Sequence, residues 1–537
     1  MKTLLLMQKI KGNWKSGLTV ALVSIPLAVS LAIASGASPT LGIISAIWSG
    51  LIASIFGGSN FNVIGPTGAL SGILATYAAI HGESIFPIIA ILSGIIIVSF
   101  YFLNIEKYLI FLPSSSIQGF ILGVAIIIIF NQINFAFNLT NLPQHEKFIA
   151  NVIESIKHIP DGSLISFLIF LFFAAILLLL IKIIPKVPGV VIVSIIGIFL
   201  GYLTSENLIP LKLPTLESRF SNLHPKLFLP FTFKFSVTYI FPAIIVAVVS
   251  ILETMISAKI ADGMTKTKHN KKKEILGLGL ANIVSGFAGG IPTTAALART
   301  TLNIRSGATN KISCGISSFF IVIISFLLLN FFKFMPLVII ASILAIVGIR
   351  MIEMENFVKM YKTDKVNFLI GILVAGITIL EDPMIGLLLG AIISMLIFMQ
   401  KLSQGQYELL LNNQEEKIEE VKTNAKLTNT FIYSIKGELA YINSQSHITR
   451  FEKTPLDNQN IILDLKNINF IDHDGIEAIE EIISILETQQ KNIYIVLEKN
   501  TLIEKMLKES NRFKKLQNNE LTFETLSEAL QNIKIKH

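Results

Sequence analysis

The chain has 537 residues, a formal net charge of +8, 52% hydrophobic residues and only 15% charged residues. Soluble globular proteins carry about 25% charged residues, and the deficit here is concentrated before about residue 400, which marks a polytopic membrane protein. The single cysteine, Cys314, excludes an intrachain disulfide and a cysteine zinc site, and basic residues beside apolar spans set topology and touch anionic lipid rather than signalling a nucleic-acid partner.

Lys2, Lys9, Lys11 and Lys15 precede "GLTVALVSIPLAVSLAIASG", a stretch long enough to be a retained first span. Breaks at Gly, Pro and charge then divide the apolar region into fourteen segments: 17–35, 41–57, 67–80, 85–104, 117–136, 164–183, 188–204, 237–257, 274–288, 294–305, 312–332, 336–350, 366–381 and 383–401. Crossing a bilayer takes roughly 20 apolar residues, so the third and tenth segments are too short to span alone. With a cytoplasmic N-terminus, even-numbered segments end inside. Lys182 and Lys186, Lys266 through Lys273, Lys359 through Lys365, and Lys401 fall there, the positive-inside pattern. The loop 205–236 dissents with Lys212, Arg219, Lys226 and Lys234.

The two short segments are written alike. "VIGPTGALSG" and "GGIPTTAALAR" each break with glycine and proline, supply threonines and small residues, then turn apolar. Paired interrupted segments at matching places in two halves point to the substrate site of a secondary transporter. A helix that starts at mid-membrane presents unpaired N–H groups and the positive end of its dipole. Two such ends facing each other make an anion site. Because seven is odd, two halves of seven segments run in opposite directions across the membrane.

Beyond Lys401 the composition becomes polar, and 402–428 reads as a linker. From residue 429 to 537 the pattern is soluble α/β: "TFIYSIKGELAYIN", "NIILDLKNINFID" and "NIYIVLE" as strands, "DGIEAIEEIISILETQQ" and "NTLIEKMLKES" as helices. The domain plan is a cytoplasmic N-terminus 1–16, a membrane domain 17–401, the linker and the C-terminal domain.

"KKKEILGLGLANIVSGFAGGIPTTAALARTTLNIRSGATNKIS" closely resembles the sulfate permease family of anion transporters. "GLTVALVSIPLAVSLAIASGASPTLG" resembles that family's first span, "KVPGVVIVSIIG" its seventh, and the C-terminal region its STAS domain. The resemblance implies a seven-plus-seven inverted repeat in which a core (segments 1–4 and 8–11) moves against a gate (5–7 and 12–14) in an elevator-like cycle. It also implies a homodimer in a bacterial inner membrane with both termini cytoplasmic.

The expected substrate-binding residues are Thr67, Gly68 and Ala69 at one half-helix and Thr293, Thr294, Ala295 and Ala296 at the other, because hydroxyls and close-approaching backbone suit an anion. Arg299 is a charge inside a short apolar helix and matches the arginine of the family's pattern, which points to the anion site. Glu253, with Ser257 one turn on, is the expected coupling group. Relatives with Glu there tend to be proton-coupled, and a sodium-coupled bicarbonate branch has Asp and lacks the arginine, so proton coupling or exchange is expected over sodium. A salt bridge between Glu253 and Arg299 is the structural alternative. Ala296 and Ala298 stand where the family often has serines, which leaves fewer donors for sulfate and keeps bicarbonate and dicarboxylates open. In the STAS domain, Asp472-His473-Asp474-Gly475 replaces a phosphorylatable serine with Asp474, so this domain is expected to be an assembly or interaction module for a cytoplasmic protein. The glycines of "GLGLANIVSG" are expected to serve close helix packing. No metal site, cofactor or enzymatic constellation is expected. The competing readings are a non-transporting membrane regulator that docks partners through its STAS domain and a nucleobase permease of the same fold.

Overall fold

The computed structural model describes residues 2–104, 113–139, 142–143, 145, 147–184, 188–220, 226–230, 235–381, 383–412, 418–420, 430–453 and 459–536. Lys186, Lys234 and much of the expected linker lie outside the described residues. The chain forms two compact units, Met1–Ser394 and Met395–His537.

Each of the fourteen expected segments is a helix. They are α1 (Lys2–Ala34), α2 (Pro39–Phe56), α3 (Gly68–His81), α4 (Phe86–Phe102), α5 (Ser114–Phe130), α6 (Leu164–Ile183) and α7 (Gly189–Ser205), then α8 (Ile240–Thr265), α9 (Lys271–Phe287), α10 (Leu297–Arg305), α11 (Ile312–Phe332), α12 (Leu337–Met351), α13 (Lys365–Leu380) and α14 (Pro383–Ser403). Among the described residues nine helices are long and apolar enough to cross a membrane. α6 shows why: Leu168, Phe172 and Leu179 are exposed on a helix that is apolar from Phe167 to Ile181, a surface that suits lipid and not water. Short amphipathic helices at Phe148–Lys157 and Met354–Thr363 join the spans.

Helix contacts obey the inverted repeat. If α1–α7 map onto α8–α14, the most extensive contacts in one half have mirrors in the other. α1 packs on α11 and α8 on α4; α4 packs on α9 and α11 on α2; α5 packs on α13 and α12 on α6; α1 packs on α10 and α8 on α3; the pairs α2–α9 and α5–α12 are their own mirrors. Glycines permit the closest of these approaches, as expected for the α9 stretch. A Cβ on Gly279 would lie 3.0 Å from the Gly94 carbonyl oxygen of α4, and one on Gly277 would lie 2.6 Å from Gly57 Cα at the end of α2.

The second unit carries a six-stranded sheet. β3 (Gln406–Asn412), β4 (Ile418–Glu420), β5 (Thr430–Leu439), β6 (Asn460–Ile471), β7 (Asn492–Val496) and β8 (Thr522–Phe523) lie in the order β4-β3-β5-β6-β7-β8, following a two-residue pair in the membrane unit. β5 through β8 run parallel, and β3 and β4 add antiparallel at the edge. β3 falls where a linker is expected; its leucines Leu409–Leu411 are flanked by polar residues that mask a strand pattern. Alternation along β5 splits the core: Phe431, Tyr433 and Ile435 pack on one face and Ile432 on the other. Helices α15 (Ser444–Lys453), α16 (His473–Thr488), α17 (Leu502–Leu507), α18 (Asn511–Asn518) and α19 (Leu526–Lys536) complete the unit.

Candidate functional site

The two broken stretches meet. β1 (Ile64–Gly65) and β2 (Thr294–Ala295) form an antiparallel pair in the register Ile64↔Ala295 and Gly65↔Thr294, and each strand leads into a short helix, α3 or α10. At 1.5 Å per residue these helices reach about 21 Å and 14 Å, well short of a bilayer's hydrocarbon core. Their N-termini therefore open into the interior of the helix assembly, where a cavity of about 640 Å³ lies.

Pro66 breaks the strand, and Thr67 stands at the helix N-cap in an extended conformation. Its hydroxyl does not cap the helix. Instead Oγ1 donates to Glu253 Oε2 at 2.9 Å, from α3's start across to α8. Ala296, which has no side-chain acceptor to offer, is the N-cap of α10. The first N–H groups of both helices are thus left without capping side chains, and such groups attract anions.

Arg299 is 2% exposed, and its Nη2 donates to the Pro66 carbonyl at 2.7 Å. Gly65 makes room for it: a Cβ there would lie 2.5 Å from Arg299 Nη1. Glu253 and Arg299 therefore each have a neutral partner, and among the described residues no ion pair within 4.0 Å joins them. Both side chains line the cavity.

Of the expected site residues, Thr67, Gly68, Ala69, Ala296, Arg299 and Glu253 line the cavity. Thr293, Thr294, Ala295 and Ser257 sit behind its wall. The Thr294 hydroxyl donates to the Ser250 carbonyl at 2.9 Å and lies 3.0 Å from the Thr254 hydroxyl, which accepts from Ala295 N–H at 3.2 Å. Thr293 N–H donates to Asn282 Oδ1 at 2.8 Å, while Asn282 Nδ2 donates to the Thr293 carbonyl at 2.9 Å. Ser257 Oγ lies 3.0 Å from both Asn62 Oδ1 and Thr300 Oγ1. The helix begins at Leu297, three residues later than the sequence pattern suggests, which moves the threonines off the helix end and into the strand that positions it.

A polar network unseen in the sequence supports the strand pair. Glu274, 2% exposed on α9, accepts from Gly58 N–H and Ser59 N–H, both at 2.7 Å, and from Asn62 Nδ2 at 2.7 Å. Thr300 Oγ1 accepts from Val63 N–H at 3.2 Å, and Asn303 Nδ2 donates to the Phe61 carbonyl at 3.0 Å. Residues 58–63 have almost no regular structure, and these side chains take the backbone groups that a buried loop would otherwise leave unpaired. The available signal was that polar residues in the apolar segment nine have to find partners.

In the STAS region Asp472 caps α16, accepting from Gly475 N–H at 2.9 Å and from Tyr441 N–H at 3.0 Å. Asp474 is exposed, and His473 makes an exposed pair with Glu477.

Two opposed half-helices, paired through short strands inside an inverted repeat of seven helices, define a membrane transport protein with a broken-helix site. The Sulfate permease family matches residues 10–374, and the STAS domain matches 420–529. The chain therefore belongs to the sulfate permease family of anion transporters. It is 28% identical over 498 residues to YvdB of Bacillus subtilis (strain 168), which bears a sulfate-transporter name, covering 91% of this chain and 92% of that protein. It is 22% identical over 522 residues to the bicarbonate transporter BicA of Picosynechococcus sp., covering 91% and 89%. Among solved structures, the murine Solute Carrier 26 family member A9 anion transporter in its inward-facing state shares the fold with a TM-score of 0.85 at 15% identity, covering 98% of this chain and 92% of that one. The transmembrane domain of a cyanobacterial BicA matches with a TM-score of 0.61 at 23% identity, covering 72% and 97%.

Proposed function

We propose that the chain is a secondary active transporter that moves a small anion by elevator-like alternating access, with the anion held between the N-termini of α3 and α10 beside Arg299. The observation that carries this reading is the β1–β2 pair, which brings both uncapped helix ends and Arg299 to one cavity. Partial positive charge from two helix ends adds to the full charge of the guanidinium, and the surrounding low dielectric strengthens all three. Anion binding then needs no rearrangement of an ion pair, because Arg299 is held by a neutral carbonyl.

Glu253 is the proposed coupling group. Its carboxyl lies on the cavity wall with a hydroxyl donor, Thr67, at the point where the anion binds. A proton on Glu253 removes a like charge from the anion's neighbourhood, so anion and proton favour each other's binding. That is the linkage a symporter or a proton-linked exchanger requires. Thr293, Thr294 and Ala295 act by holding the strand pair, Ala296 by starting α10 without a capping side chain, and Gly68 and Ala69 by offering backbone at close range. Ser257 acts by fixing Asn62 and Thr300.

The cavity is also lined by Ile181 at the end of α6, Pro188 at the start of α7 and Arg350 at the end of α12. Under the positive-inside topology these positions are cytoplasmic, so the proposed state is inward-open. The remaining parts of the proposal are a homodimer, cytoplasmic termini and a STAS domain that serves assembly or a protein partner.

Purified protein in liposomes, offered labelled sulfate, bicarbonate and fumarate with and without a pH gradient, tests the reading. Anion uptake driven by an inward proton gradient, and not by sodium, supports it. Uptake of labelled uracil with none of the anions would sink it, as would no flux of any solute.

A further inference from the structure

Two further arginines line the same cavity, at the other end from Arg299. Arg305 closes α10, and Arg350 lies in the last turn of α12. Both are exposed, and neither has an ion-pair or hydrogen-bond partner among the described residues. Arg305 lies about 9 Å further along the helix axis than Arg299, six residues at 1.5 Å each. The one carboxylate at this end, Glu353, is engaged by the Asn356 side-chain amide.

Most of the wall between these arginines and Arg299 is apolar, with Leu27, Ile121, Leu252 and Met351 among its residues. Low-dielectric walls focus the field of charges placed at a cleft's mouth. Here neither Arg305 nor Arg350 is paired among the described residues, and both line the cavity at the end away from Arg299.

We infer that Arg305 and Arg350 form an anion-gathering mouth, a specificity element separate from the binding site at Arg299. It raises the local concentration of anions over cations and neutral solutes at this face of the protein. The inference rests on the transporter reading for its biological purpose, but its physical content is the sign of the potential inside the mouth. Capture from this face is therefore sensitive to ionic strength, and the two directions of transport differ in apparent affinity.

The test reads the potential without requiring transport. Thr301 lines the cavity one turn before Arg305, and the native Cys314 is buried. In the full-length Thr301→Cys protein, modification rates are compared for the negatively charged sulfonatoethyl and the positively charged trimethylammonioethyl methanethiosulfonate, each corrected for its rate with a free thiol. The expected anionic-to-cationic ratio exceeds one at low salt. It falls by at least about fivefold in Arg305→Gln/Arg350→Gln, and by a similar factor in wild-type arginine background at 0.5 M salt, where the Debye length is only about 4 Å. Glu353→Gln raises it. If Thr301→Cys fails to fold, Leu302→Cys, also on the cavity wall, takes its place. A ratio unchanged by the double substitution at low salt overturns the inference. Absence of sulfate, bicarbonate and fumarate flux in the same preparations counts against the transporter reading instead, so the two failures are distinguishable.

Discussion

Gly65→Ala separates anion binding from folding. The added Cβ would lie 2.5 Å from Arg299 Nη1 and 3.3 Å from Cζ and Nη2. Non-bonded heavy atoms settle near 3.5 Å, so the guanidinium has to retreat by about 1 Å and loosen its bond to the Pro66 carbonyl. Gly65 has no positive φ, so the backbone accepts alanine without strain. The obstacle is the far end of a flexible side chain, so the substitution moves Arg299 more readily than it disturbs the packed helices. For an anion ~4 Å from the guanidinium at an effective dielectric of ~20, retreat to ~5 Å weakens the Coulomb attraction by about 0.8 kcal/mol, or about fourfold in affinity. A divalent anion loses about twice that energy, or about fifteenfold. The assay is the transport KM for the anion that proves active, beside thermal unfolding in detergent. Gly201→Ala is the contrast, because its Cβ would collide with the Phe334 backbone carbonyl, which cannot swing away. A Gly65→Ala protein with wild-type affinity would refute the placement of Arg299 as a field source, and one that unfolds would refute the claim that the side chain yields first.

Glu253→Gln keeps an oxygen to accept the Thr67 hydroxyl but removes titration; proton-driven anion accumulation is expected to fall at least tenfold while anion-for-anion exchange survives, and unchanged accumulation excludes Glu253 as the coupling group. Because Glu253 and Arg299 have separate neutral partners, Glu253→Gln/Arg299→Ala is expected to remain uncoupled and weak-binding, whereas recovery of wild-type transport would show that they serve only as a structural pair. Glu274→Ala orphans the Gly58 and Ser59 N–H groups and takes one of two acceptors from Asn62 Nδ2, which keeps the Thr254 carbonyl, an expected loss on the order of 3 kcal/mol, read as a lower unfolding temperature in detergent. His447 in α15 is fully buried, and burial followed by the nearby Arg450 charge holds its pKa down to about 4. Between about pH 6.5 and 4 the unfolded chain therefore binds a proton that the folded one does not, so acidification through this window removes stability, about 3 kcal/mol in all by pH 4. Hydrogen exchange of β5 in the full chain should accelerate over that range, and His447→Gln should flatten the response.

The helices of the membrane unit were legible because a bilayer imposes a length and a polarity on each. α6 and α11 could be little else, given their unbroken apolar runs. The break before α3 was legible because Pro66 and its neighbouring glycines interrupt an apolar run. The pairing of Gly65 with Thr294 was not legible, since a two-residue strand has no periodicity to read. The α10 boundary was misplaced because threonine is a good N-cap, and the chain instead uses Thr294 to hold the strand while Ala296 starts the helix. The partners of Asn62, Asn282 and Thr300 could not be read from a single sequence: they include the Glu274 and Ser257 side chains and the backbone of Thr293 and Val63, groups that only the fold brings together. Arg305 and Arg350 resemble ordinary positive-inside residues until the cavity shows what they face. In the second unit, α16 was visible from its amphipathic period, whereas β3 was hidden by the charged and polar residues around its leucines.

The β1–β2 register also sets an order on biogenesis. Ile64 finds its backbone partner only in Ala295, more than two hundred residues later. At about 5–20 residues per second, a ribosome needs roughly 10–45 s to deliver it. Through that interval the first seven helices stand inserted with an unfinished segment at their centre, and the translocon or the lipid has to tolerate it. Neither half is a self-sufficient product: a chain stalled before residue 295 holds a helix end with no strand to dock on. Such truncated chains should be substrates for membrane quality-control proteases even though every early span has already entered the bilayer.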